Sequence, residues 1–123
     1  MFLKMRKLEA LRREMEQLFS SPSMSYISSL NASFPLVNLY EDQDNLVVVA
    51  EVPGVDPESV QTVYKEGVLT LRKERPVGEF EKNIRVPFPV VVDQISATLQ
   101  DGMLVAKLPK AEEAKPKQIK IQV

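Results

Sequence analysis

The sequence contains neither cysteine nor histidine, and these two absences exclude most enzymatic and metal-dependent functions. Without cysteine there is no disulfide, no thiol nucleophile and no thiolate metal site. Without histidine, neither a Ser-His-Asp nor a Cys-His relay can be assembled, and zinc sites built from His or Cys are excluded as well. The four glycines are scattered at turns, so they form no Gly-rich loop around a phosphate. We therefore predict no catalytic residue, no cofactor-binding residue and no metal site.

Two acidic stretches are the remaining candidates for such chemistry, and neither has the required pattern. Glu79 and Glu81 share one face of a strand, but charges in contact with solvent explain this spacing better than an acid/base pair does. The turn 41–45 faintly resembles a calcium loop. It has no central glycine, and Pro53 stands at the twelfth position from Asp42, where a bidentate acid is required. An enzymatic function is therefore less favoured than either of the two binding functions described below.

Long apolar runs are also lacking, and the net charge of −1 hides a division along the chain. The longest strictly apolar run, Leu46 to Ala50, is far shorter than the roughly 20 residues that span a bilayer. The N-terminus meets charge within four residues and does not read as a secretory signal. Residues 1–34 and 110–123 are each basic by +2, whereas residues 35–109 carry −5, which argues against nucleic-acid binding. We expect a cytoplasmic protein.

The first 34 residues have the pattern of an N-terminal arm made of a helix and a linker. Apolar residues recur at spacings of three and four over residues 4–19, which predicts an amphipathic helix. Residues 20–34 are rich in serine yet carry several large apolar side chains, and this composition is typical of a flexible linker that is unusually adhesive.

From Pro35 onward the apolar period changes to two, which predicts an antiparallel β-sandwich over residues 35–109. Turn signals that contain glycine or acidic residues separate the predicted strands. The strands are predicted at 36–40, 46–52, 60–64, 68–73, 79–86, 95–99 and 103–108. Residues 110–123 then form a charged tail that ends in three alternating apolar residues, Ile119, Ile121 and Val123.

Five short motifs, which follow one another along the chain in the same order as in the family, resemble the small heat-shock protein family, whose core is the α-crystallin domain. The most specific is the hairpin 97–104 (ATLQDGML) followed by Leu108-Pro109-Lys110. The others are Val52-Pro53-Gly54-Val55, Gly67-Val68-Leu69-Thr70-Leu71, the segment from Gly78-Glu79-Phe80 to Arg85-Val86-Pro87, and Ile119-Lys120-Ile121. The resemblance implies an all-β, immunoglobulin-like sandwich and an ATP-independent holdase chaperone of the stress response. It also implies a homo-oligomer that binds non-native client proteins.

The chain departs from the family pattern at two places. The family usually inserts a long loop with an extra strand before the strand that corresponds to residues 79–86 here, and in bacterial-type members this loop is exchanged between subunits to make the dimer. Here residues 75–78 cross the gap almost directly, so a swapped dimer is not expected. Lys82 stands where many members have arginine, and it lacks the planar fork of donors. Arg85 does match, and both are candidate interface charges.

The terminal strip, Ile119, Ile121 and Val123, has two interpretations. It is either the last edge strand of its own domain or an oligomer anchor that pairs with a sheet edge on a neighbouring molecule. The resemblance implies an acceptor groove between two edge strands. Its candidate residues, for which ordinary core packing is the alternative, are Val60, Thr62, Tyr64, Ile95, Ala97 and Leu99.

The N-terminal arm has three interpretations: a helix for self-association, a surface that binds unfolding clients, and a helix that lies on a membrane. Its polar face carries charges of both signs, which disfavours the membrane. Flexible methionine side chains suit varied apolar contacts. The candidate residues are Phe2, Leu8, Leu11, Met15, Leu18, Phe19, Met24, Tyr26, Ile27, Leu30 and Phe34.

A holdase is therefore the predicted function, and a monomeric adaptor that resembles the CS-domain co-chaperones is the alternative. The missing loop favours the adaptor, whereas the I-x-I ending and the amphipathic arm favour the holdase. A measurement of particle size distinguishes the two, because the holdase is expected to form a large assembly.

Overall fold

The computed structural model describes residues 16, 23–30, 34–74, 79–117 and 119–121. Within these ranges the chain forms eight strands and three short 3-10 helices. The strands are β1 (Ser25–Leu30), β2 (Val37–Glu41), β3 (Asn45–Glu51), β4 (Val60–Lys65), β5 (Val68–Lys73), β6 (Phe80–Arg85), β7 (Ser96–Gln100) and β8 (Met103–Pro109). The 3-10 helices are Pro57–Ser59, Val92–Gln94 and Glu112–Ala114.

The strands form two antiparallel sheets, as the period of two predicts. One sheet has five strands in the order β1-β2-β3-β8-β7, and the other has three in the order β4-β5-β6. The seven predicted strands all occur, with ends within one residue of those expected from the sequence. The all-β class with two antiparallel sheets is therefore confirmed.

Alternating side chains of both sheets fill one continuous core. On β6 the pattern is strict, because Phe80, Lys82 and Ile84 are buried while the residues between them are exposed. Leu69 and Leu71 of β5 are fully buried on the same side. Each such apolar side chain stabilises the fold by about 1.5–3 kcal/mol relative to an exposed position. This burial against the five-stranded sheet fixes which face of β4, β5 and β6 points inward.

The turns follow the sequence signals. Glu66-Gly67 and Asp101-Gly102 have positive φ at both residues, as two-residue hairpin turns require. In the acidic turn between β2 and β3, the Asp42 carboxylate accepts hydrogen bonds from the backbone N–H groups of Asp44 at 2.8 Å and Asn45 at 2.7 Å. This side chain closes the hairpin turn, which agrees with the prediction of a solvated turn in place of a calcium loop.

The structure differs from the expected linker at residues 20–34, because Ser25–Leu30 forms β1 and pairs with β2. The register shifts between Tyr26 and Ser28, which marks a bulge. Tyr26 stacks edge-to-face on Tyr40 with ring centroids 5.5 Å apart, and the Ser29 hydroxyl donates to the Asn38 side-chain oxygen at 2.7 Å. These cross-strand contacts form only once the sheet exists, so the serine content alone predicted a linker. The sandwich therefore begins before Pro35.

The predicted helix at 4–19 lies outside the described residues except for Glu16, which has helical backbone geometry and an exposed side chain. Within the described part of the chain, no helix has the length and apolar composition needed to cross a membrane.

The connection between β5 and β6 is short. Lys73 pairs directly with Phe80, so residues 74–79 make the whole link between two adjacent antiparallel strands. Within this six-residue link, residues 75–78 lie outside the described residues.

We predict that Gly102→Ala destabilises the fold more than Gly54→Ala does. Both glycines have positive φ, +77° and +74°, so alanine pays a backbone cost of about 1–2 kcal/mol at either position. A Cβ at position 102 would also lie 3.1 Å from the Cα of Pro53, whereas a Cβ at position 54 meets nothing within 4 Å. The expected additional loss for Gly102→Ala is about 1 kcal/mol or more, measured by urea unfolding. Equal losses at the two positions would contradict the close approach to Pro53.

Candidate functional site

The predicted acceptor residues lie on or beside two edge strands. β4 is the first strand of the three-stranded sheet, and β7 is the last strand of the five-stranded sheet. Among the described residues, no strand pairs with the outer side of either one. Each strand therefore presents backbone N–H and C=O groups that an added strand can bind.

The side chains of the predicted groove point into the sandwich. Val60, Ile95, Ala97 and Leu99 are buried members of the main core cluster, and half-buried Tyr64 packs against it. Thr62 is buried as well, with 5% of its surface exposed. The structure thus brings all six residues to the inward faces of the two edges, where they also serve as core.

The described part of the terminal strip projects away from the sandwich. Ile119 and Ile121 have 84% and 91% of their surfaces exposed, and neither belongs to a strand. Val123 lies outside the described residues. Two nearly fully exposed isoleucines separated by one residue are costly for an isolated chain, because each leaves apolar surface in water. Residues 119–121 therefore do not form a last edge strand of their own domain.

The first half of the tail is bound to the sandwich. The Lys110 N–H donates to the Asp44 carbonyl at 2.7 Å, and the Ala111 N–H donates to the Pro89 carbonyl at 3.0 Å. The Lys110 ammonium lies 3.0 Å from the Glu41 carboxylate and 4.8 Å from the centre of the Phe88 ring. Lys110 is only 11% exposed, so these contacts are partly shielded from water.

Within the described part of the tail, Lys115 makes the last ion pair with the sandwich. Its ammonium lies 3.1 Å from Glu112 and 3.7 Å from Asp44. The hydrogen bond to Glu112 raises the pKa of Lys115 above its ordinary value, although loss of hydration opposes it, and the carboxylates of Glu112 and Asp44 add to the rise. The exposed residues Pro116 and Lys117 follow, so the strip leaves the sandwich beyond Lys115. Sequence reasoning missed this attachment, because its partners are far apart in the chain.

The two candidate interface charges lie on opposite faces of β6. Lys82 is buried at 8% exposure and lies opposite Leu71 of β5, whereas Arg85 is exposed and lies opposite Val68. A single contact on one face of the sheet therefore cannot include both side chains.

The described arm residues divide into covered and exposed ones. Met24 packs against Val47, Val49 and Val105, whereas Tyr26, Ile27 and Phe34 are between 44% and 55% exposed. Phe34 stacks on Phe80 with ring centroids 5.6 Å apart. Leu30 is the last residue of β1. The remaining arm candidates, Phe2, Leu8, Leu11, Met15, Leu18 and Phe19, lie outside the described residues.

A cavity of about 590 Å³ lies at the end of the β5–β6 hairpin. Its lining mixes acidic and basic side chains with one ring: Arg72, Lys73, Glu74, Glu79, Phe80 and Glu81. Glu81 lies opposite Arg72 across the two strands, and the Arg72 guanidinium lies 3.6 Å from the Glu74 carboxylate and donates to the Gln61 side-chain oxygen at 3.0 Å. In the described ranges, no group of three or more His, Cys, Asp or Glu side chains is arranged to hold a metal ion.

Comparison with known proteins identifies the fold and its relatives. The model of the Hsp20/alpha crystallin family matches residues 38–123. Heat shock protein 16 of Schizosaccharomyces pombe is 32% identical over 120 residues, which cover 79% of this chain and 84% of the relative. The 17.7 kDa class II heat shock protein of Arabidopsis thaliana is 28% identical over an alignment of 138 positions, gaps included, which covers 94% of this chain and 88% of the relative.

Solved structures agree with these sequence relatives. Heat shock protein 16.0 from Schizosaccharomyces pombe superimposes with a TM-score of 0.61 at 30% identity, over 74% of this chain and all of that chain. A small heat-shock protein from Xylella fastidiosa has a TM-score of 0.59 over 76% of this chain and all of its own, and at 23% identity it supports the fold alone.

We predict that Lys110→Met loosens the attachment of the tail and destabilises the fold by about 1 kcal/mol. Methionine keeps most of the apolar stem but loses the ion pair with Glu41 and the cation–π contact with Phe88. Urea unfolding at low and high salt measures the loss, which should shrink at high salt because the ion pair is then screened in the parent protein.

Lys117→Met is the matched control, because Lys117 lies in the exposed part of the tail. Its effect should stay within about 0.5 kcal/mol. If the two variants unfold at the same urea concentration, the attachment at Lys110 does not contribute to stability.

Proposed function

The chain belongs to the Hsp20/alpha crystallin family of small heat-shock proteins, and from that premise we propose that it is a holdase whose sandwich carries two apolar flanks with separate tasks. Members of this family are non-enzymatic, typically oligomeric, and bind client proteins, so the expected activity is ATP-independent holding of partly unfolded chains. The N-terminal flank binds clients, and the C-terminal strip joins subunits.

The observation that carries this proposal is the exposure of Ile119 and Ile121 next to a tail that is otherwise bound to the sandwich. A strip with this pattern is suited to dock on another copy of the same chain. Burial of each isoleucine contributes roughly 1.5–3 kcal/mol before the cost of ordering the tail. One strip therefore binds weakly, and several strips within an assembly bind strongly because each raises the effective concentration of the next.

The proposed acceptor is the edge of the sandwich bounded by β4 and β7. Support comes from the unpaired outer sides of these strands among the described residues and from the apolar side chains behind them. The added strip forms backbone hydrogen bonds with one edge strand, and its isoleucines contact the groove residues between the two sheets. The groove residues are Val60, Thr62, Tyr64, Ile95, Ala97 and Leu99.

The proposed client surface is the N-terminal arm, which is predicted to include a helix at 4–19. Its support is the apolar stripe in the sequence together with the exposure of Tyr26, Ile27 and Phe34. Exposed apolar side chains of this kind bind the apolar segments that unfolding proteins reveal, and they keep those segments from meeting one another. Detachment of the terminal strip on heating frees the arms and the groove together.

The partners are therefore non-native proteins and further copies of this chain, in the cytoplasm. Nucleic acid is an unsuitable partner because residues 35–109 are acidic. The absence of cysteine suits a reducing compartment. A membrane surface is a poor match for an arm of mixed charge.

We predict that the intact chain suppresses the turbidity of a heat-labile client at a near-stoichiometric ratio without ATP. Deletion of residues 1–22 should abolish most of this protection while leaving β1 and both sheets in place, because the apolar stripe is removed and the described strands are not. Circular dichroism of the deletion variant controls for folding. Full protection by the deletion variant would place client binding elsewhere.

We predict that Ile119→Ala/Ile121→Ala gives smaller particles than the parent chain in light scattering. The double substitution removes most of the apolar area of the strip but leaves its backbone and charges unchanged. Lys120→Ala is the control, because it lies between the two isoleucines and should leave the particle size unchanged. A parent chain that is already a clean monomer would contradict the assembly role and favour an adaptor function.

A further inference from the structure

The five-stranded sheet is buried on both of its faces, and the second face needs an explanation. Val47, Val49 and Val105 are 0%, 7% and 6% exposed and form a cluster separate from the main core. Because side chains alternate along a strand, these three point away from the sandwich while Leu46 and Val48 point into it. The outward face of an antiparallel sheet in a sandwich is usually polar and solvated. Here its central valines are buried, and half-buried Lys107 lies on the same face, opposite both Val47 and Ser96.

The far edge of this face is covered too. Ser96 and Thr98 of β7 are 3% and 2% exposed, and they alternate with the core residues Ala97 and Leu99. We call Val47, Val49, Val105, Ser96 and Thr98 together the outer face.

Two described side chains, Met24 and Tyr40, pack against the valines of the outer face. Tyr40 lies on β2, three strands away from β7 in the sheet order, a distance of about 14 Å at the usual strand spacing. A tyrosine side chain does not reach that far. Tyr40 therefore does not cover Ser96 and Thr98, whose neighbours on this face are Lys107 and Val105 of β8.

Ser96 lies directly opposite Lys107 of β8 on the outer face. In the structure as described, its hydroxyl oxygen is inaccessible to solvent and has no hydrogen-bond partner. Buried hydroxyl groups normally find a partner when a polar group lies within reach. The Lys107 ammonium therefore does not bond to this hydroxyl, and only the apolar stem of Lys107 lies beside it.

The N-terminal arm has the position, the length and the composition to cover the outer face. Met24 already lies on the outer face, and only residues 20–23 separate it from the end of the predicted helix at Phe19, a reach of at most about 17 Å. A helix over residues 4–19 is about 24 Å long, and a sheet of five strands is about 19 Å wide. The helix is thus long enough to cross the whole sheet.

The apolar stripe also has a suitable orientation relative to Glu16, the one described residue within the predicted helix. Glu16 is exposed. On an ideal helix the centre of the stripe formed by Leu8, Leu11, Met15 and Leu18 lies about 120° around the axis from Glu16. A helix that buries this stripe therefore leaves Glu16 in water.

We propose that the stripe Leu8, Leu11, Met15 and Leu18 docks on the outer face of the same chain. The short link to Met24 favours the chain's own sheet over that of a neighbour. The docked arm stores its apolar side chains on the domain. Clients then compete with the outer face for the arm, a consequence that rests on the proposed function, whereas the docking itself does not.

Thiol labelling tests the docking, because the natural chain has no cysteine that would react. Thr98→Cys and Ala97→Cys place a thiol on neighbouring residues of β7 that face opposite ways. Each is combined with the intact stripe and with Leu8, Leu11, Met15 and Leu18 all changed to Gln. We expect the stripe substitutions to speed alkylation at position 98 by about tenfold or more and to leave position 97 protected by the core. Unchanged labelling at position 98 overturns the proposal.

Two further comparisons complete the test. If the four substitutions also expose position 97, the sheet itself has opened, and Leu11→Gln alone supplies the same comparison with a smaller change. The Thr98→Cys subunit that also carries the four stripe substitutions is mixed, before labelling, with an excess of parent chains. The labelling rate in this mixture identifies the chain from which the covering arm comes. Continued fast labelling supports docking within one chain, whereas restored protection shows that a neighbour's arm covers the face and overturns the proposal.

A denatured client added to Thr98→Cys with the intact stripe tests the competition separately. Faster labelling supports displacement of the arm by clients. If labelling is unchanged in the presence of client but responds to the stripe substitutions, the docking stands and the client-binding role of the arm fails.

Discussion

The pairing of β3 with β8 is the interaction on which the rest of the molecule depends. Seven consecutive residue pairs, from Asn45 opposite Pro109 to Glu51 opposite Met103, join the two strands at the centre of the larger sheet. Their inward side chains are core, and their outward valines form the covered second face. Because β8 runs directly into Lys110, the same register also determines where the C-terminal tail begins. Core, outer face and tail are thus positioned by one ladder of hydrogen bonds.

The sequence predicted the strands well where local signals agree. Alternating apolar residues bounded by Glu66-Gly67 or Asp101-Gly102 leave few alternatives, since these turns need positive φ and the flanking strands need one buried face. β1 was missed for the opposite reason. Its serines have little local preference for a strand. It forms because its backbone pairs with the edge of β2 and because Tyr26 packs against the ring of Tyr40. That information resides in the assembled sheet.

The candidate site was predictable in its chemistry but less so in its geometry. The absence of cysteine and histidine and the ordered family motifs predicted a non-enzymatic chaperone of the small heat-shock protein type, and the family match confirms this membership. The pattern at 119–121 suggested either a last edge strand or an anchor for a neighbouring molecule; the described isoleucines are exposed, and the anchor role stays a prediction. In contrast, Leu46 to Ala50 read simply as one apolar strand, and the sequence could not show that it is buried on both faces. The contact of Lys110 with Glu41 depends on a distance that only the fold sets.

Because the first half of the tail is attached to the sandwich, the length of the remaining tail limits how far the proposed docking partner can lie from this domain. Lys115 is held by Glu112 and Asp44, and Ile119 follows four residues later, so Ile119 lies at most about 14 Å from Lys115. A docking partner must therefore come within that radius of the hairpin that bears Asp44. Where the strip docks on another copy as proposed, so short a connection admits few arrangements of neighbouring copies, and the contacts of Lys110 and Lys115 help to set that geometry.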